Sequence, residues 1–187
     1  MVATGWLDDA AILWGVIPAR LSGALDLNPA MPALLTPLSA TLVHADLIHL
    51  GMNMLFLFLC GVLVERALGR GALVLIYVVG AYAAAFAQWA VDPLAAVPAI
   101  GASGAISAIV GAYALTYGRQ KRIVRSPLLN RALNAAWLLA AWVVLQLLIG
   151  WAASLHDVLI AVPAHIGGFV AGLLLQRPLL LWRYRNA

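Results

Sequence analysis

At 187 residues the chain has room for one domain. Its residues are 65% hydrophobic and only 10% charged, against roughly 25% charged in soluble proteins, which excludes a water-soluble globule and indicates a polytopic membrane protein. The net charge of +4 comes from basic residues clustered beside apolar segments, a pattern of membrane topology and not of a nucleic-acid face.

The chain begins MVATGWLDDA, acidic where a cleavable signal peptide would be basic, so none is expected. The stretch AAILWGVIPA at 10–19 is apolar but too short to cross a bilayer. Residues 20–43 carry Arg20, Asp26, Pro29, Pro32 and Pro37 and read as an irregular or interfacial loop with short helical pieces. Five segments then approach the length of a span, at 47–64, 72–91, 102–118, 132–152 and 159–181. The third is short, stopped by the basic run that begins at Arg119. Cys60, inside the first span, reads as a small buried apolar residue. A lone cysteine forms no internal disulfide, and no cluster of cysteines or histidines points to a metal.

If the five spans alternate, ten of the eleven basic residues fall on one side: Arg66, Arg70, Arg119, Lys121, Arg122, Arg125, Arg131, Arg177, Arg183 and Arg185. Asp8, Asp9, Asp26, Asp46, Asp92 and Asp157 fall on the other. The positive-inside rule makes the basic side cytoplasmic. The expected organisation is an extracytoplasmic segment over 1–46, a membrane domain over 47–182 and a short cytoplasmic tail over 183–187, in a bacterial inner membrane.

Strongly polar side chains inside spans are costly and mark candidate functional sites. Here they are His49, Asn53, Gln88, Ser103, Ser107, Gln146 and His165, with His44 and Asn134 near span ends. At a rise of about 1.5 Å per residue, counted from Glu65, Arg119 and Arg177, Ser103 and His49 lie about 24 Å from the cytoplasmic boundary, and His165 and Asn53 about 18 Å. All four share the outer half of a core about 30 Å thick. His49 and Asn53, four apart, share a helix face, and both can donate hydrogen bonds. Ser103 opens a helix, where free backbone N–H groups favour developing negative charge. His165 can serve as general base to a serine hydroxyl if the two come within hydrogen-bond reach. Together they suit acyl transfer, with a nucleophile, a base and oxyanion donors at one depth. Gly104 and Gly111 on the third span, and Gly168 and Gly172 on the fifth, give small-residue faces for close helix approach. Taken singly, each of these residues also has a plain structural reading as a packing serine or an interhelical polar contact. Gln88 and Gln146 are read as interhelical contacts, and His156 and Asp157 as exposed loop residues.

The motifs HxxxN at His49 to Asn53, GxSG at Gly101 to Gly104, and AHxxGxxxG at Ala164 to Gly172 resemble, in order and placement, those of the rhomboid family of intramembrane serine proteases. Glu65-Arg66 followed by Gly69 matches as well, and the resemblance covers roughly 35–175. It implies an all-α, rhomboid-like helical bundle with a Ser–His dyad. Ser103 would be the nucleophile and His165 the base. The oxyanion donors would be His49, Asn53 and the Ser103 N–H. His44 would have a supporting role, and so would Gly101, Gly104, Gly168 and Gly172. It implies transmembrane protein substrates, often cut after a small residue, a lipid bilayer around the chain, and no cofactor, metal or nucleic acid. The family's core has six spans, and the first is expected to be absent or truncated here. An aromatic residue often sits four after the nucleophile and packs on the histidine. Ser107 stands there instead, which leaves the orientation of His165 to another group, with Tyr113 and Phe169 as aromatic candidates. Two rival readings are a rhomboid-like protein that binds membrane clients without cutting them, and a small transporter using the intramembrane histidines for proton relay.

Overall fold

The computed structural model describes residues 3–118, 124–155 and 160–185. Arg119, Lys121, Arg122, His156 and Asp157 lie outside the described residues. Eight α-helices are seen in the described part, and all of its regular structure is helical apart from one isolated β-bridge. Helix α1 (Ala3–Trp14) is about 18 Å long, short of a bilayer core. The apolar stretch 10–19 is therefore not one element. It ends α1 at Trp14, pairs Val16 with Ala99 in an antiparallel bridge, and enters the four-residue α2 (Pro18–Leu21). Two 3-10 turns (Ala33–Leu35 and Ala40–Leu42) flank α3 (Thr36–Ser39), as the prolines of this stretch favour.

The long helices follow. Helix α4 (Leu47–Leu68) starts where the Asp46 carboxylate accepts from the His49 backbone N–H at 2.6 Å, a side-chain N-cap. It stops at Gly69, whose φ of +93° is a conformation that side chains disfavour. The Gly69 N–H closes the last turn on the Glu65 carbonyl at 2.7 Å. Helix α5 (Arg70–Val91) departs at once in the opposite direction. Helix α6 (Ser103–Tyr117) has 15 residues, about 22 Å. Helix α7 (Pro127–Ser154) is capped by Ser126 with proline at its first turn, and α8 (Val162–Arg183) completes the bundle. Four of the five expected spans, α4, α5, α7 and α8, are long and apolar enough to cross a membrane, and α6 is the short fifth.

Alternation puts the first turns of α4, α6 and α8 at one end of the bundle. At the other end Tyr117 donates to the Leu63 carbonyl (3.0 Å), Arg183 to the Glu65 carbonyl (3.2 Å) and Tyr184 to the Ala67 carbonyl (3.3 Å). The shortest helix is the central one. Nine of the fifteen residues of α6 are buried, packed by α4, α5 and α8. Its inner face joins Cys60, Val64 and Leu68 of α4 and Ala72 and Ile76 of α5 in one apolar cluster through Ala108, Ile109 and Ala112. A helix sheathed by its neighbours need not match the bilayer thickness, which accounts for the brevity of α6.

One helix start differs from expectation by more than a helical turn. Helix α7 begins at Pro127, five residues before the predicted span, because Ser126-Pro127 is a start signal that hydropathy does not register. Arg131 therefore lies on a helix instead of in a loop. It donates to Gln176 Oε1 at 2.8 Å, and Gln176 Nε2 donates to Thr116 at 3.1 Å, linking α7, α8 and α6.

Candidate active site

Gly101 adopts φ +104°, so the chain turns sharply into α6, and its N–H donates to the Ala40 carbonyl at 2.9 Å. The turn makes Ser103 the first residue of α6, beside N–H groups with no intrahelical partner. His165 sits in the first turn of α8, its N–H bonded to the Ala161 carbonyl. Ser103 Oγ lies 2.7 Å from His165 Nε2.

Two short side chains meet because nothing stands between the helices that carry them. A β-carbon at Gly168 would overlap the Gly104 carbonyl oxygen and lie 3.0 Å from its carbon. One at Gly172 would lie 2.7 Å from the Ala108 carbonyl carbon, and one at Gly111 would overlap the Phe169 carbonyl oxygen. Gly104 in turn faces the Ala84 methyl of α5. Ordinary carbon–carbon contact is about 3.5–4.0 Å, so each position tolerates only hydrogen.

His49 stands over the Gly101 turn. A β-carbon at Gly101 would lie 2.6 Å from His49 Cε1 and 2.7 Å from Nε2, which brings this imidazole within two residues of Ser103. The rings of His44 and His49 meet edge to face at 5.0 Å. His44 Nε2 is buried and has no hydrogen-bond partner among the described residues. Burial, and secondarily the neighbouring His49, hold the His44 imidazole below its ordinary 6.5, partly opposed by a hydrogen bond to Leu42. Asn53 is buried one turn further along α4. One N–H of its amide donates to the His49 carbonyl at 2.9 Å, a bond inside α4 and not to Ser103. A small cavity of about 50 Å³ opens beside the pair, its walls including Ala40, Ala84, Gln88, Gly101, Ser103 and His165. Gln88 Oε1 is buried there with no partner among the described residues. No three His, Cys, Asp or Glu side chains come together among the described residues.

The orientation of His165 departs from expectation. Neither aromatic candidate packs on its imidazole: Tyr113 pairs with Tyr117 at 5.4 Å, and Phe169 stacks on Trp142 at 4.9 Å. Ser107, in the aromatic position, donates its hydroxyl to the Ser103 carbonyl at 2.7 Å. The group on the imidazole is Gln146 of α7, whose Oε1 lies 2.7 Å from Nδ1. Gln146 is an interhelical contact, as its sequence suggested, but its partner is the candidate base. The signal in the sequence is its depth: Gln146 is fifteen residues past Arg131, about 22 Å, the level of Ser103 and His165, which marks it as a candidate without naming its partner.

Residues 33–182 match the family model described as the Rhomboid domain. The chain is 31% identical over 140 residues to the protein named Rhomboid protease GluP of Bacillus subtilis (strain 168), an alignment covering 74% of this chain and 24% of that protein. The chain thus spans about a quarter of the length of that curated relative. With the motifs, the helical bundle and the family match agreeing, the chain belongs to the rhomboid family of integral membrane proteins.

Proposed function

We propose that the chain is an intramembrane serine protease that cleaves transmembrane segments of other proteins. Ser103 Oγ attacks the scissile carbonyl carbon while its proton passes to His165 Nε2. The oxyanion is met by the Ser103 N–H, His49 and the second N–H of the Asn53 amide. Collapse breaks the C–N bond, the amine leaves with the proton from His165, and water releases the acyl group by the reverse exchange. The observation that carries this reading is the 2.7 Å separation of Ser103 Oγ and His165 Nε2, held by helices in main-chain contact. Membership of the family supports it, as does similarity to a relative named as a protease. In this reading the ends of α4 and α8 near Glu65 and Arg183 face the cytoplasm of a bacterial cell, and the dyad opens outward with residues 1–46.

The test is covalent labelling of purified protein by a fluorophosphonate, together with cleavage of a reporter transmembrane substrate. Wild type should label and cleave, and Ser103→Ala should do neither while retaining its thermal unfolding profile. Labelling that persists in Ser103→Ala removes Ser103 as nucleophile. A protein that captures the reporter without cutting it is a binding protein instead.

A further inference from the structure

We propose that Gln146 is a positioning residue for His165: its amide oxygen, carried in on α7, holds the imidazole in the tautomer whose Nε2 is free to take a proton from Ser103. The inference rests on the reading of Ser103 and His165 as a working pair.

Helix α7 has 28 residues, and its only buried ones are Asn134 and Gln146, both polar. An apolar helix that turns a glutamine inward does so for a partner, because an unbonded buried amide costs about 2–7 kcal/mol. The partner is the imidazole. An amide oxygen only accepts, so at 2.7 Å the ring must donate from Nδ1. A neutral imidazole carries one N–H, so Nε2 presents its lone pair to Ser103 Oγ, also at 2.7 Å. The opposite tautomer would set two lone pairs against each other at Gln146. A second contact comes from the same face of α7. Trp142, four residues earlier, donates its indole N–H to the His165 carbonyl at 3.3 Å and stacks on Phe169 one turn along α8. Ring and backbone of His165 are thus both held by α7. Gln146 is neutral, so it sets the tautomer without bringing a buried charge, and the imidazolium formed during attack keeps the same Nδ1–H to Oε1 bond.

The test uses the full chain in bicelles with two variants. Gln146→Met keeps length and shape but has no amide acceptor, and Gln146→Glu keeps an acceptor. Gln146→Met should slow phosphonylation by the fluorophosphonate, and reporter kcat, about 10²-fold with KM little changed, since a base in the wrong tautomer loses up to about 10⁴-fold. Gln146→Glu should stay within about tenfold of wild type. A purely structural glutamine would not produce that split. The imidazole ¹⁵N shifts of His165 supply a readout independent of activity: wild type should show a protonated Nδ1 and a bare Nε2, and Gln146→Met a mixture. Phosphonylation of Gln146→Met within threefold of wild type, equal losses in Met and Glu, or a tautomer unmoved by Gln146→Met would each overturn the proposal. If wild type neither labels nor cleaves, the protease reading falls and the ¹⁵N comparison alone decides the role of Gln146. If Gln146→Met does not fold, the wild-type spectrum decides, and a protonated Nε2 there refutes the assignment.

Discussion

Replacing Gly168 by alanine tests whether main-chain contact between α6 and α8 sets the distance between Ser103 and His165. The added β-carbon would lie 3.0 Å from the Gly104 carbonyl carbon and overlap its oxygen. Restoring ordinary contact requires the two backbones to part by about 1 Å. Gly168 is one turn beyond His165 and Gly104 directly follows Ser103, so most of that movement reaches the pair. A gap of 2.7 Å becomes one of about 3.7 Å, too long for a hydrogen bond. A misplacement of about 1 Å costs on the order of 10²-fold in rate, and overpacking costs about 1–3 kcal/mol in stability. The assay is the rate of phosphonylation by a fluorophosphonate beside thermal unfolding. Gly167→Ala is the control, because its β-carbon would lie 2.7 Å from the Ala83 carbonyl oxygen and press on α5 instead. It should lose similar stability and far less rate. Should Gly168→Ala be phosphonylated within threefold of the wild-type rate, or Gly167→Ala fall as far, the distance is set by something other than this contact.

Replacing Gln176 by leucine removes the acceptor of Arg131 and the donor to Thr116, and a hydrogen bond to a charged group is worth about 1.5–3 kcal/mol. The unfolding temperature should drop by several degrees; an unchanged midpoint means that the link adds nothing. For His44, burial and His49 lower the imidazole pKa in the fold, so the unfolded chain takes up the proton first as pH falls. Its contribution is whole above 6.5 and is lost as pH drops below that value toward the folded pKa. The unfolding midpoint measured from about pH 8 to about pH 5 should fall less steeply in His44→Phe than in wild type, and equal slopes would rule His44 out as a source.

Hydropathy made most of the bundle legible, since lipid imposes runs of about 20 apolar residues that a sequence cannot hide. The span expected at 72–91 is α5 (Arg70–Val91), and that at 159–181 is α8 (Val162–Arg183). Counting residues from charged boundaries also put Ser103 and His165 at neighbouring depths, because helix rise is nearly constant. Rotation about a helix axis has no such ruler. Hydropathy marks Gln146 as a polar residue that needs a partner, but whether α7 turns it toward His165, Gln88 or Asn53 depends on how α7 packs. The first 43 residues were hardest to read. Their described part is held by main-chain bonds to a distant loop, such as Val16 to Ala99 and Ala19 to Ala95, and by single side-chain bonds such as Ser39 to the Trp14 carbonyl, none of which follows a period in the sequence.

The glycine seam between α6 and α8 has a consequence for how the protein responds to its surroundings. Where two helices touch through side chains, their spacing is a negotiated average over rotamers and shifts with whatever solvates the outer surface. Here the gauge is the hard edge of a carbonyl oxygen, which has no alternative conformers. A change of lipid that rearranges Phe56 or Trp137, both turned outward, therefore leaves the seam's dimension as it was, and the smallest change able to reset it is one methyl group.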